Sequence, residues 1–229
     1  MTNPNGINHL AIATRDIKTQ IAFFTDVLGA RLRALYWMHG VDGTFHGFVE
    51  LSPTCYIAFV QHPDNPAAHE RGVTHADGPG GAVTAGVVQH IALNVDSPEE
   101  LMAMRDRVRD RGLVVLGPMN HGFVQSIYFA GPEHLTLEVA YGSEIDERAW
   151  IDPEVQALAG ISDAERDAFV TPAAFTAAPG SVPQPSPAQD KPILHYSPER
   201  LEFVLRATDE QMWSMVDANP PVLPVAQPS

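Results

Sequence analysis

Two histidines occupy the third place of two matching apolar runs. His9 lies in Ile7-Asn8-His9-Leu10-Ala11-Ile12, and His90 in Val88-Gln89-His90-Ile91-Ala92-Leu93. Glu138 sits in Leu135-Thr136-Leu137-Glu138-Val139-Ala140. A carboxylate inside such an apolar strand is costly unless it is paired or bound to a metal. Two imidazoles and one carboxylate make the facial ligand set of Fe(II) and similar ions, with positions left open for other ligands. The expected cofactor is one divalent metal per chain, Fe(II) first, with Mn(II), Zn(II), Ni(II) or Co(II) as alternatives, held by His9, His90 and Glu138.

The matching runs are part of an internal repeat, and the repeat defines the elements that must position these residues. An acid follows each run, Asp16 in the first copy and Asp96 in the second. Each copy then enters a helix. The first is expected over about 17–28, ending at Gly29; the second over about 98–111, with Ser97 as N-cap, Pro98 in the first turn and Gly112 as the stop. Three strand-like runs follow each helix. In the first copy they are about 31–38, 45–51 and 55–61, and in the second about 114–116, 124–130 and 135–141. The expected fold class is α+β: two tandem βαβββ modules, about 6–62 and 87–142, forming a curved mixed sheet around a metal cleft. A lone module has an uncovered apolar sheet face, and pairing two modules covers it.

The two copies differ at the ligand positions. Counting six residues on from the turn proline takes Pro132 to Glu138 and Pro53 to Phe59. The first copy thus supplies an aromatic residue where the second supplies a carboxylate, which leaves room for substrate. Between the copies, residues 62–86 form a long loop carrying His62, His69 and His75. Loops of this length inside a compact domain are commonly functional, so this one is expected to be ordered near the site.

The segments GINHLAI, VQHIALNV and SIYFAGPEHLTLEVAYG resemble the vicinal-oxygen-chelate superfamily, which includes glyoxalase I, bleomycin-resistance proteins and extradiol ring-cleavage dioxygenases. The resemblance covers about residues 6–142. Its extradiol members use two histidines and one glutamate, with no ligand from the last strand of the first module, as here. The resemblance implies a tyrosine in the strand before the glutamate, matched by Tyr128 ten positions before Glu138. It also implies a histidine ahead of the second ligand histidine that serves as acid or base, matched by His75 fifteen positions before His90. His121 is a second candidate for contact with a substrate oxygen. The implied activity is oxidative cleavage of a catechol-like aromatic diol by O2, a step in aromatic compound catabolism. The alternatives are a glyoxalase-like isomerase, epimerase or lyase, and a non-catalytic small-molecule binding protein.

Composition narrows the partners. The 229 residues carry 14 basic and 28 acidic side chains, net charge −14, so neither nucleic acid nor an anionic membrane surface is an expected partner. The single cysteine, Cys55, excludes an internal disulfide. No signal peptide or membrane span is read from the sequence, and the expected location is cytoplasmic. After about residue 145 the character changes. Residues 146–229 carry 5 basic and 13 acidic side chains and 12 of the 20 prolines. The reading is a paired-module metal domain over 1–145 and an acidic, proline-rich, helical and irregular extension over 146–229. Helical segments are expected at about 152–169 and 198–216, with Leu201, Val204, Leu205 and Met212 at helical spacing. The extension is expected to pack on the body or on a partner subunit of a homo-oligomer.

Overall fold

A computed structural model of the chain describes residues 3–176, 179–216 and 219–222. The chain divides into two compact units, one of Pro4–Pro172 and one that gathers Met1–Asn3 with Ala173–Ser229.

The first unit holds both copies of the repeat. Copy one runs β1 (His9–Ala13), α1 (Ile17–Asp26), β2 (Arg31–Trp37), β3 (Phe45–Ser52) and β4 (Cys55–Gln61). Copy two runs β5 (Ile91–Asn94), α2 (Pro98–Asp110), β6 (Leu116–Asn120), β7 (Val124–Ala130) and β8 (Thr136–Gly142). Each copy folds as its own four-stranded mixed sheet, in the orders β1-β4-β3-β2 and β5-β8-β7-β6. In both, the first strand pairs parallel with the last, and the remaining pairs are antiparallel. This is the tandem βαβββ arrangement, α+β, that the repeat implies. The sixth strand begins at Leu116, two residues later than its apolar run suggested. Gly117-Pro118 interrupts its ladder, and the register shifts between Leu116 and Met119.

Local chemistry fixes the helices. Asp16 accepts from Thr19 N and Ser97 from Glu100 N, each satisfying a free N–H of the first turn. The Asp16 carboxyl lies below the usual carboxylate range, first because the Thr19 hydroxyl and then its backbone N–H donate to it. Period 2 in the strands then sends alternate residues to opposite faces. One face of each sheet packs on its helix: Ile57, Phe59 and Val49 with Phe24, and Ile127, Leu137 and Val139 with Leu101 and Val108, all within one core cluster. The other face carries His9, Ala58 and Phe48 in copy one, and Glu138 and Tyr128 in copy two.

The ladder corrects one correspondence. Tyr128 pairs with Glu138 and Ala92 with Glu138. In copy one, Phe48 pairs with Ala58 and Ala11 with Ala58. The equivalent of Glu138 is therefore Ala58, not Phe59, which lies fully buried in the core. Counting from the prolines slips by one because Pro132–His134 forms a 3-10 turn before β8, whereas copy one turns tightly between Ser52 and Cys55. Copy one still offers no ligand at this place, since alanine has none to give.

Helices α3 (Glu147–Trp150), α4 (Pro153–Leu158) and α5 (Asp163–Val170) complete the first unit. Within the second unit lie α6 (Pro198–Arg206) and α7 (Asp209–Trp213), capped by Ser197 and Thr208. Among the described residues, no helix is long and apolar enough to cross a membrane.

Candidate metal and substrate site

Strand β8 carries Glu138 in mid-strand, only 4% exposed. His90, immediately before the parallel neighbour β5, places Nε2 2.9 Å from Glu138 Oε2. The other ring nitrogen, Nδ1, meets the Gln89 side-chain oxygen, an orienting contact of the kind that ligand histidines use. Among the described residues Glu138 has no arginine or lysine partner. Tyr128, facing it across the β7–β8 ladder, is 8% exposed. Burial first, and then the Glu138 charge, push the Tyr128 hydroxyl above the usual phenol range, against the opposing hydrogen bond of Ser126. The Tyr128 hydroxyl lies 3.2 Å from His121 Nε2, and its ring stands edge-on to His90 with centroids 6.1 Å apart. Thus His90, Glu138, Tyr128 and His121 form one polar group on module two.

The spacing of the pair tests the implied metal. Two ligands at about 2.1 Å and roughly a right angle around one ion lie about 3 Å apart. The His90–Glu138 separation of 2.9 Å fits that spacing. Among the described residues, no three His, Cys, Asp or Glu side chains are gathered into a group that holds an ion. His9 stands elsewhere, on β1 of the other module. Its Nδ1 lies 2.9 Å from Asn8 Oδ1, and its ring meets Phe48 edge-on at 5.5 Å.

His75 belongs to a different neighbourhood. It lines a cavity of about 490 Å³ together with His90, Gln89, Arg15, His69 and His134. Burial first, then His134 and His69, hold its imidazole below the usual range.

Several residues escaped the sequence reading. Glu133 joins the modules: it accepts from Thr14 Oγ1 (2.5 Å), Arg15 N (2.8 Å) and Gln20 Nε2 (2.8 Å). On module one, His46 Nδ1 lies 3.3 Å from the Tyr36 hydroxyl. Burial, then His9 and His39, lower the His46 pKa. The sequence held one usable signal for this pair: Tyr36 and His46 fall on neighbouring strands of an antiparallel hairpin. For Glu133 it held none, because the contact spans more than a hundred residues.

Two four-stranded sheets of this topology, each with its first strand parallel to its last, define a paired-module βαβββ class. The family model for the Glyoxalase/Bleomycin resistance protein/Dioxygenase superfamily matches residues 6–139, more than half the chain. The chain belongs to this superfamily. Among solved structures, a glyoxylase/bleomycin resistance protein/dioxygenase domain from Frankia sp. EAN1pec is 16% identical, with TM-score 0.50, covering 62% of this chain and 100% of that one. The fosfomycin resistance protein FosX of Listeria monocytogenes is 19% identical, with TM-score 0.43, covering 62% and 96%. The antibiotic binding protein TnmS3 of Streptomyces sp. CB03234 is 17% identical, with TM-score 0.44, covering 62% and 100%. At these identities the likeness speaks to fold alone. No curated protein matches the chain.

Proposed function

We propose that the chain is a metal-dependent extradiol-type dioxygenase that cleaves a catechol-like diol with O2. The observation that carries this reading is the buried Glu138 with the half-buried His90 at ligand spacing, and a tyrosine–histidine pair beside it. His9 is the proposed third ligand, and Fe(II) the proposed ion. When bound, a divalent ion supplies Lewis acidity to two adjacent substrate oxygens.

The chain's own residues do the rest. Tyr128 donates its hydroxyl proton in a hydrogen bond to a substrate oxygen brought beside His90. A phenol keeps that proton at neutral pH. Of the two histidines offered for proton transfer, His121 is the one within hydrogen-bond distance of Tyr128. There its imidazole is placed to take the diol proton and return it. His75 lines the neighbouring cavity with His90 and is not assigned the proton transfer. The protein is proposed to act in the cytoplasm, as a homo-oligomer.

The test is metal analysis of anaerobically purified protein, then O2 uptake with a panel of catechols. Expected are one transition metal at the triad and O2 consumption matched to a ring-cleaved product. Turnover that proceeds equally without O2 would instead select the isomerase reading.

A further inference from the structure

Three histidines meet where the proposed chemistry does not need them. His69 and His75 come from the loop between the modules, and His134 from the turn before β8. The His69 and His134 rings stack with centroids 3.5 Å apart, and each lies 6.1 Å from His75. All three line the same cavity. Of their six ring nitrogens, only His75 Nδ1 has a hydrogen-bond partner among the described residues, Thr74 Oγ1 at 3.0 Å. Five nitrogens are therefore unspent in one place.

The backbone under His134 is strained to put it there. Glu133 and His134 both hold positive φ, 51° and 64°, a conformation that L side chains disfavour. Such strain persists only where the surroundings impose it, and it concentrates at functional sites. The three hydrogen bonds that Glu133 accepts from α1 and from the connection between β1 and α1 impose it here. The clamp fixes the direction in which His134 leaves the chain.

We propose that His69, His75 and His134 form a second metal site, for Zn²⁺ or a similar borderline ion, that ties the intermodule loop to the β8 turn. Imidazoles suit such ions, at about 2.0–2.1 Å from nitrogen to metal. Two imidazoles sharing one tetrahedral ion then place their ring centres roughly 5 Å apart. The two 6.1 Å separations lie about 1 Å above that value and the 3.5 Å stack lies below it, so the rings must shift to share an ion. In the stacked arrangement the donors do not converge, consistent with the absence of any three-ligand group among the described residues. His69 is exposed on its loop, so a side-chain rotation can open the stack without moving the core. The neutral imidazole is the ligand form.

Zn²⁺ titration of chelator-stripped full-length protein by calorimetry tests the site. The wild type is expected to bind two equivalents. The His69→Ala/His134→Ala double variant should bind one, and the His90→Ala/Glu138→Ala double variant should keep the equivalent that the first one loses. A wild type that binds one equivalent, lost in His69→Ala/His134→Ala, supports this site while removing the triad. Undiminished stoichiometry and affinity in His69→Ala/His134→Ala overturns the site. A second variant, His69→Cys, guards against misfolding of the double variant. With Co²⁺ it should gain a thiolate-to-cobalt charge-transfer band, and its absence in a folded variant also overturns the proposal.

Discussion

Replacing Glu133 with Ala removes a clamp between the modules, and its cost can be worked from three hydrogen bonds. Thr14 and Gln20, two of the donors, are 2% and 0% exposed. Gln20 Oε1 already lacks a partner, so losing Glu133 leaves the whole buried amide unsatisfied. Hydrogen bonds to a charged group contribute about 1.5–3 kcal/mol when buried, and a stranded buried donor costs about 1–3 kcal/mol. Glu133 itself is exposed, and solvent screening reduces its share. The expected loss for Glu133→Ala is therefore about 2–4 kcal/mol, below the full sum of three buried bonds. Glu133→Gln keeps an acceptor oxygen and should lose about 1–2 kcal/mol. The pH dependence provides an internal check. Burial pushes the Glu133 carboxyl up, but hydrogen bonds from Thr14, the Arg15 N–H and Gln20 outweigh it and hold the pKa below the usual range. A depressed folded pKa means that this stabilisation is complete above the unfolded carboxyl value, about 4.3, and is lost as pH falls through the folded value. The gap between wild type and Glu133→Gln should be widest near pH 7 and shrink below about pH 4. Urea unfolding followed by far-UV circular dichroism at a series of pH values measures it. A Glu133→Ala loss below about 0.5 kcal/mol, typical of an ordinary surface substitution, would refute the clamp. So would a gap that stays constant with pH.

The remaining predictions concern the site. His9→Ala, His90→Ala and Glu138→Ala should each lose the catalytic metal with the fold retained; full occupancy in any two variants by elemental analysis rejects the triad. Tyr128→Phe and His121→Ala should keep that metal and slow turnover by about 10²–10⁴, the usual range for a positioned acid or base. Wild-type rates in steady-state O2 uptake reject their roles. Gly122→Ala should displace the loop that carries His121. Gly122 has φ +93°, and an added Cβ would lie 2.4 Å from the Trp150 ring. A loss of turnover with melting temperature also lowered is expected, and a variant equal to wild type in both measurements rejects the packing argument.

Sequence alone determined the paired modules and the residues at their matched places. That is because period 2 in strands, helix caps and turn glycines are local signals, and the repeat stated them twice. Ser97 caps the helix it was expected to cap, and seven of the expected strands and helices kept both bounds within two residues for the same reason. His90 and Glu138 were legible as partners because one immediately precedes the first strand of a copy and the other lies on the last. What tertiary structure alone decided is how turns and side chains meet in space. It set Ala58, not Phe59, opposite Glu138 in the repeat, since a 3-10 turn adds a residue that no proline count registers. It set His121 rather than His75 against Tyr128, although both stood at plausible spacings. It gathered His69, His75 and His134, and locked Glu133 onto Thr14, Arg15 and Gln20. Such contacts depend on side-chain placement in the folded chain, and the sequence carries no period that encodes them.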